Sequence, residues 1–286
     1  MSGVAVVTDS TSSLVPSLAE QQGLVVVPLQ VIVDGTSRSE SFRPDVGAVT
    51  PGAVAAALRE GRTVTTSRPS PEAFTSAYAA AVEAGASAIV SVHLSGAISG
   101  TCDAAAQAGR SVAVPVEVVD SGTVGPGCGL AALAAAEAAQ AGATVEEVAD
   151  IARRRASASV TYFCVENLEY LRRGGRIGAA QALLGSALAV KPLLTVAEGR
   201  ITPSERVRTM SRAVARLQEL AEGALTPGAA ADVAVLHLDN RTAADRLARA
   251  LRDQGGAASV AVTEISAVLG VHCGPGTVGV VVAPRV

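Results

Sequence analysis

Short β-branched runs alternate along the chain with alanine-rich stretches of helical length. Residues 4–7 read as a strand ending at Asp9, 23–33 as a second extended stretch, 88–92 as a buried strand, and 116–119 as a further strand ending at Asp120. Between them the pattern predicts helices over 51–59, 71–84, 102–108 and 130–141. Strand, turn and helix in repetition imply a parallel sheet with helices on its faces.

After a further predicted helix over 145–156 the rhythm changes. Residues 161–164 read as a strand, a Gly/Arg-rich turn region follows, and a hairpin at Glu198-Gly199 joins 193–196 to the segment from Ile201. A strand–helix unit over 233–236 and 241–251 comes next, and the chain closes on strand candidates at 260–265 and 278–282. The expected class is α/β. An N-terminal domain over 1–156 carries a parallel sheet flanked by helices, and a C-terminal domain over 157–286 is mixed α/β.

A chain of 286 residues, 49% hydrophobic, can bury two ordinary cores. The formal charge of -3, with no broad basic face, argues against a nucleic-acid partner. The start Met1-Ser2-Gly3-Val4 lacks a basic, signal-like segment, and no apolar run reaches the roughly 20 residues of a membrane span, so a cytoplasmic protein is expected. Cys102, Cys128, Cys164 and Cys273 are scattered without a Cys-x-x-Cys pair, which points to reduced thiols rather than a zinc site or a disulfide framework. With three Phe, three Tyr and no Trp, the apolar surface is mostly aliphatic, and aliphatic walls suit an aliphatic ligand.

Two hydroxyl-rich segments, Thr66-Ser67-Arg68-Pro69-Ser70 and Leu94-Ser95-Gly96-Ala97-Ile98-Ser99-Gly100-Thr101, stand where apolar runs give way to helix starts. Glycine permits close approach of the backbone, and free amides at a helix start favour negative charge, so a carboxylate fits there without a metal. Ser70 and Pro71 are accounted for as N-cap and first helical residue, which leaves Thr66 and Ser67 free to present hydroxyls. A helix cap and a tight turn would explain one Ser-Gly pair, though less well the doubled Ser95-Gly96 and Ser99-Gly100. A third segment, Gly270-Val271-His272-Cys273-Gly274-Pro275-Gly276, has the same strand-then-glycine character and carries one of only three histidines. Gly274 to Gly279 fits G-x-G-x-x-G, but a β-branched run follows where a dinucleotide site needs a helix and an acidic residue. Arg172, Arg173 and Arg176 form one dense basic cluster, suited to phosphate, to an acidic partner, or to pairing with Glu166 and Glu169.

These segments in this order, with Val7-Thr8-Asp9-Ser10, Val118-Val119-Asp120-Ser121 and Leu168-Glu169-Tyr170-Leu171-Arg172-Arg173-Gly174-Gly175-Arg176-Ile177, resemble the DegV family of bacterial fatty-acid-binding proteins over nearly the whole chain. The departures are Cys102, where an aromatic often follows Ser-Gly-Thr, and Arg68 at the variable position of Thr-Ser-x-Pro-Ser. The resemblance implies a lipid tunnel holding one long-chain fatty acid such as palmitate, stearate or oleate, and no cofactor. Its carboxylate would lie on Thr66, Ser67 and Ser95, with the Gly96 N–H and His272 assisting and Arg176 near an acyl phosphate or a partner. The resemblance also implies a carrier rather than an enzyme, which acts with a separate ATP-dependent fatty acid kinase subunit in phospholipid synthesis and has transient membrane contact. The alternatives are a serine or cysteine acyl hydrolase or acyltransferase using Ser95 or Cys273 with His272, and a sensor of a small anion. The absence of G-x-S-x-G, G-x-x-x-x-G-K-[ST] and H-E-x-x-H patterns counts against bond-breaking chemistry.

Overall fold

A computed structural model describes residues 3–43, 47–183 and 190–286. The chain runs β1 (Gly3–Asp9), α1 (Pro16–Gln21), β2 (Val25–Val27), β3 (Gln30–Val33), β4 (Thr36–Ser39), α2 (Pro51–Arg59), β5 (Val64–Ser67), α3 (Pro71–Glu83), β6 (Ala86–His93), α4 (Thr101–Gly109) and β7 (Val116–Asp120). It continues with α5 (Pro126–Gln140), α6 (Val145–Ala158), β8 (Val160–Cys164), α7 (Glu169–Arg173), β9 (Lys191–Ala197), β10 (Arg200–Val207), α8 (Met210–Ala224), β11 (Ala231–His237), α9 (Arg241–Gln254), β12 (Ser259–Glu264), α10 (Ala267–Cys273) and β13 (Val278–Pro284).

The expected parallel sheet is present, in the order β2-β1-β6-β7. One face packs Val6, Val90, Val92 and Val119 against the alanines of α5 and α6, and the other packs Val7 and Ile89 against Phe74 and Tyr78 of α3 and the alanines of α4. Small side chains on these helices let them lie close to the β-branched sheet surface. The second sheet is six-stranded and mixed, β10-β9-β8-β13-β11-β12, with only β11–β12 parallel. Its outer face meets Leu217 of α8 and Leu247 and Leu251 of α9. Its inner face presents Phe163, Leu194, Leu236 and Val281 to the middle of the molecule. Glu198 and Gly199 have φ of 50° and 73°, as a two-residue hairpin whose twist matches the flanking strands requires.

Two expectations are corrected. The stretch 23–33 is not one strand: Pro28 interrupts it, so β2 joins the parallel sheet while β3 joins a separate antiparallel sheet, β4-β3-β5. Thr66 and Ser67 therefore lie on a strand, with Thr66 opposite Val31. The segment around His272 is not strand-like but the helix α10. Ser266 starts it by accepting the Leu269 N–H at 3.2 Å, and Gly274 ends it at φ 77°.

The start of α10 is also clamped by Glu40. This buried carboxylate accepts the Val268 N–H at 2.7 Å and the Ser10 hydroxyl. Burial pushes the Glu40 carboxyl up to about 7, partly offset by the hydrogen bonds from Ser10, Val268 and Ser266. Because the folded state prefers the protonated form, the stability this group contributes is complete below its ordinary value of 4.5 and is lost as pH rises through about 7. Glu40→Gln is therefore expected to raise stability by about 2–3 kcal/mol at pH 8 and to change little near pH 4, read from urea unfolding at both. Equal effects at both pH values would show that the carboxylate is not charged against its surroundings.

Candidate functional site

A cavity of about 280 Å³ lies beneath the inner face of the second sheet. Phe163, Ile201 and Leu236 wall it from that sheet, and Leu29, Leu94 and Leu269 close it from the other side. Thr66, Ser67, Arg68, Ser99, Arg176 and His272 also line it. Thr66 Oγ1 lies 2.9 Å from His272 Nε2, while the two arginines are held by backbone carbonyls: Arg176 Nε donates to Ile98 at 3.2 Å and Arg68 Nη1 to Gly100 at 3.2 Å. The result is an apolar chamber with one polar end.

His272 is the least ordinary group there. Burial, reinforced by the positive field of Arg176, pulls the imidazole down to about 4, so it is neutral at pH 7. Its Nδ1 is buried and, among the described residues, has no hydrogen-bond partner. Because the folded state holds the ring neutral, this group's stability contribution is present above 6.5 and is lost as pH falls towards 4. An anion beside the ring would reverse the balance. Adding myristate is expected to raise the His272 midpoint by a unit or more in an NMR titration; an unchanged midpoint would mean that no carboxylate lies there.

The other residues singled out from sequence are distributed differently. Ser67 lines the cavity with its hydroxyl donating to the Arg68 carbonyl at 3.2 Å. Ser95 is buried and donates to the Gly199 carbonyl at 2.7 Å, while the Gly96 N–H is held by both Asp120 carboxylate oxygens at 3.1 Å. In this arrangement it is the second Ser-Gly, Ser99-Gly100, that borders the cavity. Gly100 is the N-cap of α4 and carries no capping side chain, so among the described residues the first amides of that helix have no side-chain partner. The repeat of Ser-Gly in the sequence was the signal for this second position. Arg172 and Arg173 both pair with Glu169, and Glu166 pairs with Lys191, whereas among the described residues Arg176 binds carbonyls, those of Ile98 and Gly174, and no carboxylate.

The hydrolase alternative finds little support. Burial pushes the Cys273 thiol up to about 12, far from a thiolate at neutral pH. Among the described residues His272 bonds to Thr66, not to Ser95 or Cys273. A chain resembling a catalytic triad does exist elsewhere, Asp9 Oδ2 to His93 Nδ1 at 2.9 Å and His93 Nε2 to Ser91 Oγ at 2.7 Å, with Tyr78 donating to Ser91. All four side chains are sealed in the core, and Asp9 also accepts the Leu94 N–H, so the set braces the end of β6. Among the described residues no group of three or more His, Cys, Asp or Glu is placed to hold a metal, and no helix is long and apolar enough to cross a membrane.

Fold and site together define a three-sheet α/β protein with a mostly apolar chamber whose polar end carries hydroxyls, a neutral imidazole and two guanidinium groups. The chain belongs to the DegV family, whose model, described as an uncharacterised protein family, matches residues 3–285. A DegV domain-containing protein of Streptomyces coelicolor is 50% identical over 283 residues, 99% of each chain. Among solved structures, a fatty-acid-binding DegV family protein from Thermus thermophilus superposes with a TM-score of 0.91 at 34% identity over 99% of both chains. DegV of Bacillus subtilis, described as a fatty acid binding protein, superposes with a TM-score of 0.88 at 29% identity over the whole of both.

Proposed function

We propose that this protein binds one long-chain fatty acid and, in the cytoplasm, presents its carboxylate to a separate ATP-dependent fatty acid kinase. The observation that carries the reading is the mostly apolar cavity ending on the Thr66–His272 pair with Arg176 beside it. The fatty-acid binding of the Thermus and Bacillus relatives supports it. The tail fills the space between Phe163, Ile201 and Leu236, and the carboxylate lies at Thr66, Ser67 and His272. Ser95 joins once its hydroxyl leaves the Gly199 carbonyl, and Gly96 once its amide leaves Asp120.

Burying a C16 chain at ~0.8 kcal/mol per methylene gives on the order of 10 kcal/mol before the costs of binding are subtracted, so the tail supplies most of the affinity. The head supplies orientation. At the partner, a carboxylate oxygen would attack the terminal phosphorus of ATP and ADP would leave, giving an acyl phosphate for phospholipid synthesis; this protein holds the nucleophile in place.

Native mass spectrometry of the protein purified without added lipid, followed by denaturation and lipid extraction, tests the binding. A stoichiometric C14 to C18 fatty acid is expected. An empty protein that also refuses palmitate and oleate would overturn the reading. Replacing both Thr66 and Ser95 by alanine is expected to abolish kinase-dependent phosphorylation, and undiminished acyl phosphate would count against this head-group set.

A further inference from the structure

The loop that follows β6 satisfies its own amides. The Ser95 N–H donates to the Thr123 carbonyl at 2.8 Å, the Ala97 N–H to Ser95 Oγ at 3.2 Å, and the Ile98 and Ser99 N–H groups to the Ser95 carbonyl at 3.2 Å. The Ser95 hydroxyl donates to the Gly199 carbonyl. The Gly96 N–H differs from the rest, because its acceptor carries a full negative charge, the carboxylate of Asp120.

Asp120 is the last residue of β7, the strand beside β6, and it is exposed. Both of its oxygens lie 3.1 Å from the Gly96 nitrogen, and Oδ1 also accepts the Gly122 N–H at 2.8 Å. Two backbone amides converging on one carboxylate make a small anion nest. The chain thus sets a carboxylate of its own on the amide that the fatty-acid reading gives to the ligand, and binding there exchanges one anion for another. Exposure and the second amide make the exchange feasible: when Asp120 turns off Gly96, the Gly122 N–H still holds Oδ1 and Oδ2 returns to water. The two carboxylates then stand side by side. Like charges about 5 Å apart in a largely aqueous setting lower affinity by about three- to tenfold, and a neutral head group meets no such repulsion.

We propose that Asp120 is a specificity-determining residue of the head-group site, whose negative charge competes with the ligand's carboxylate for the Gly96 amide and holds down the affinity for anionic head groups. The inference rests on the fatty-acid reading, which brings the carboxylate to Gly96. Competition at the head keeps the carboxylate exchangeable, as presentation to a partner requires, while the buried tail keeps the molecule bound.

The test uses laurate and dodecanol, equal in chain length and different in charge, titrated at pH 8 into the full chain and into Asp120→Asn and Asp120→Ser. Asn keeps an oxygen for the Gly96 and Gly122 amides, and Ser keeps one for Gly122, so both hold the turn while removing the charge. Laurate is expected to bind each variant about three- to tenfold more tightly, with dodecanol changed less than twofold. Unchanged or weakened laurate binding would show that Asp120 only braces the loop, and it overturns the proposal, as does an equal change for both ligands. In the unaltered protein the Gly96 amide resonance should shift with laurate and not with dodecanol. A Gly96 resonance indifferent to laurate overturns the proposal whatever the variants do. Failure of the unaltered protein to bind either ligand would instead overturn the fatty-acid reading.

Discussion

Asp232→Ala is expected to lower the unfolding free energy by about 3–5 kcal/mol, because it leaves a buried guanidinium without its counter-charge. Arg155, on α6, is 4% exposed and reaches from the helices of the first sheet to Asp232 at the start of β11 in the second, with Nη2 2.5 Å from Oδ2. Among the described residues its Nε and Nη1 have no hydrogen-bond partner. Asp232 also accepts from Arg285 at 2.8 Å and from Ser259 at 2.7 Å. Burial opposes its charge, but the hydrogen bonds from Arg285, Ser259 and Arg155 prevail and hold its carboxyl at about 2. The stability it contributes is present above the ordinary value of 3.8 and is lost as pH falls through about 2. Urea unfolding at pH 7 measures the effect, and a loss below about 1 kcal/mol would show that Arg155 finds water or another acceptor. Arg155→Met combined with Asp232→Ala should recover most of the loss, because removing both charges of a buried pair is close to neutral.

The pattern of apolar and polar positions was sufficient for elements whose environment is uniform. The parallel strands are packed on both faces, so Val4 to Val7 and Ala88 to Val92 show as runs rich in β-branched residues rather than as an apolar/polar alternation. Pro71 behind Ser70 marked the start of α3, and Glu198-Gly199 marked the hairpin, because both rest on local backbone chemistry. The third sheet was not legible. Its strand Thr36-Ser37-Arg38-Ser39 is polar and mostly exposed, and β3 was hidden in the same apolar run as β2. Nor was α10, which spans only seven residues, contains Gly270, and owes its start to Glu40 from a distant segment as well as to Ser266. Gly270 has a packing reason, since a Cβ there would lie 3.0 Å from Leu238.

At the site, the hydroxyl motif and the histidine could each be read from the chain, but their contact spans 206 residues and follows only from the packing of α10 beside β5. The apolar walls were illegible for another reason. Phe163 and Leu236 alternate with residues that serve the outer core, so sequence marks them as strand residues without saying which face borders a cavity. The doubled Ser-Gly left open which pair borders the ligand space; the Gly199 carbonyl, more than a hundred residues from Ser95, decides it in this conformation.

Gly174→Ala is expected to weaken fatty-acid binding by about 10- to 100-fold while leaving the tail cavity intact. Gly174 has φ -74° and ψ -7°, a conformation alanine adopts without strain, so any effect must come from the added methyl group. A Cβ there would lie 2.1 Å from His272 Nδ1 and 2.8 Å from Cε1, so the ring must withdraw by roughly 1.4 Å to reach van der Waals contact. The 2.9 Å bond to Thr66 Oγ1 cannot survive that shift in its present geometry. Loss of one well-placed hydrogen bond to a charged carboxylate is worth about 1.5–3 kcal/mol, which gives the stated range. Two controls isolate the cause. Dodecanol, which has the tail but no carboxylate, should bind the variant and the unaltered protein alike. Gly175→Ala sits at φ 70° with nothing within 4 Å of the new Cβ, so it should cost about 1–3 kcal/mol of stability and little affinity. Myristate affinity within twofold of the unaltered protein in Gly174→Ala would remove His272 from the head-group site. Equal losses for myristate and dodecanol would trace the effect to the cavity walls instead.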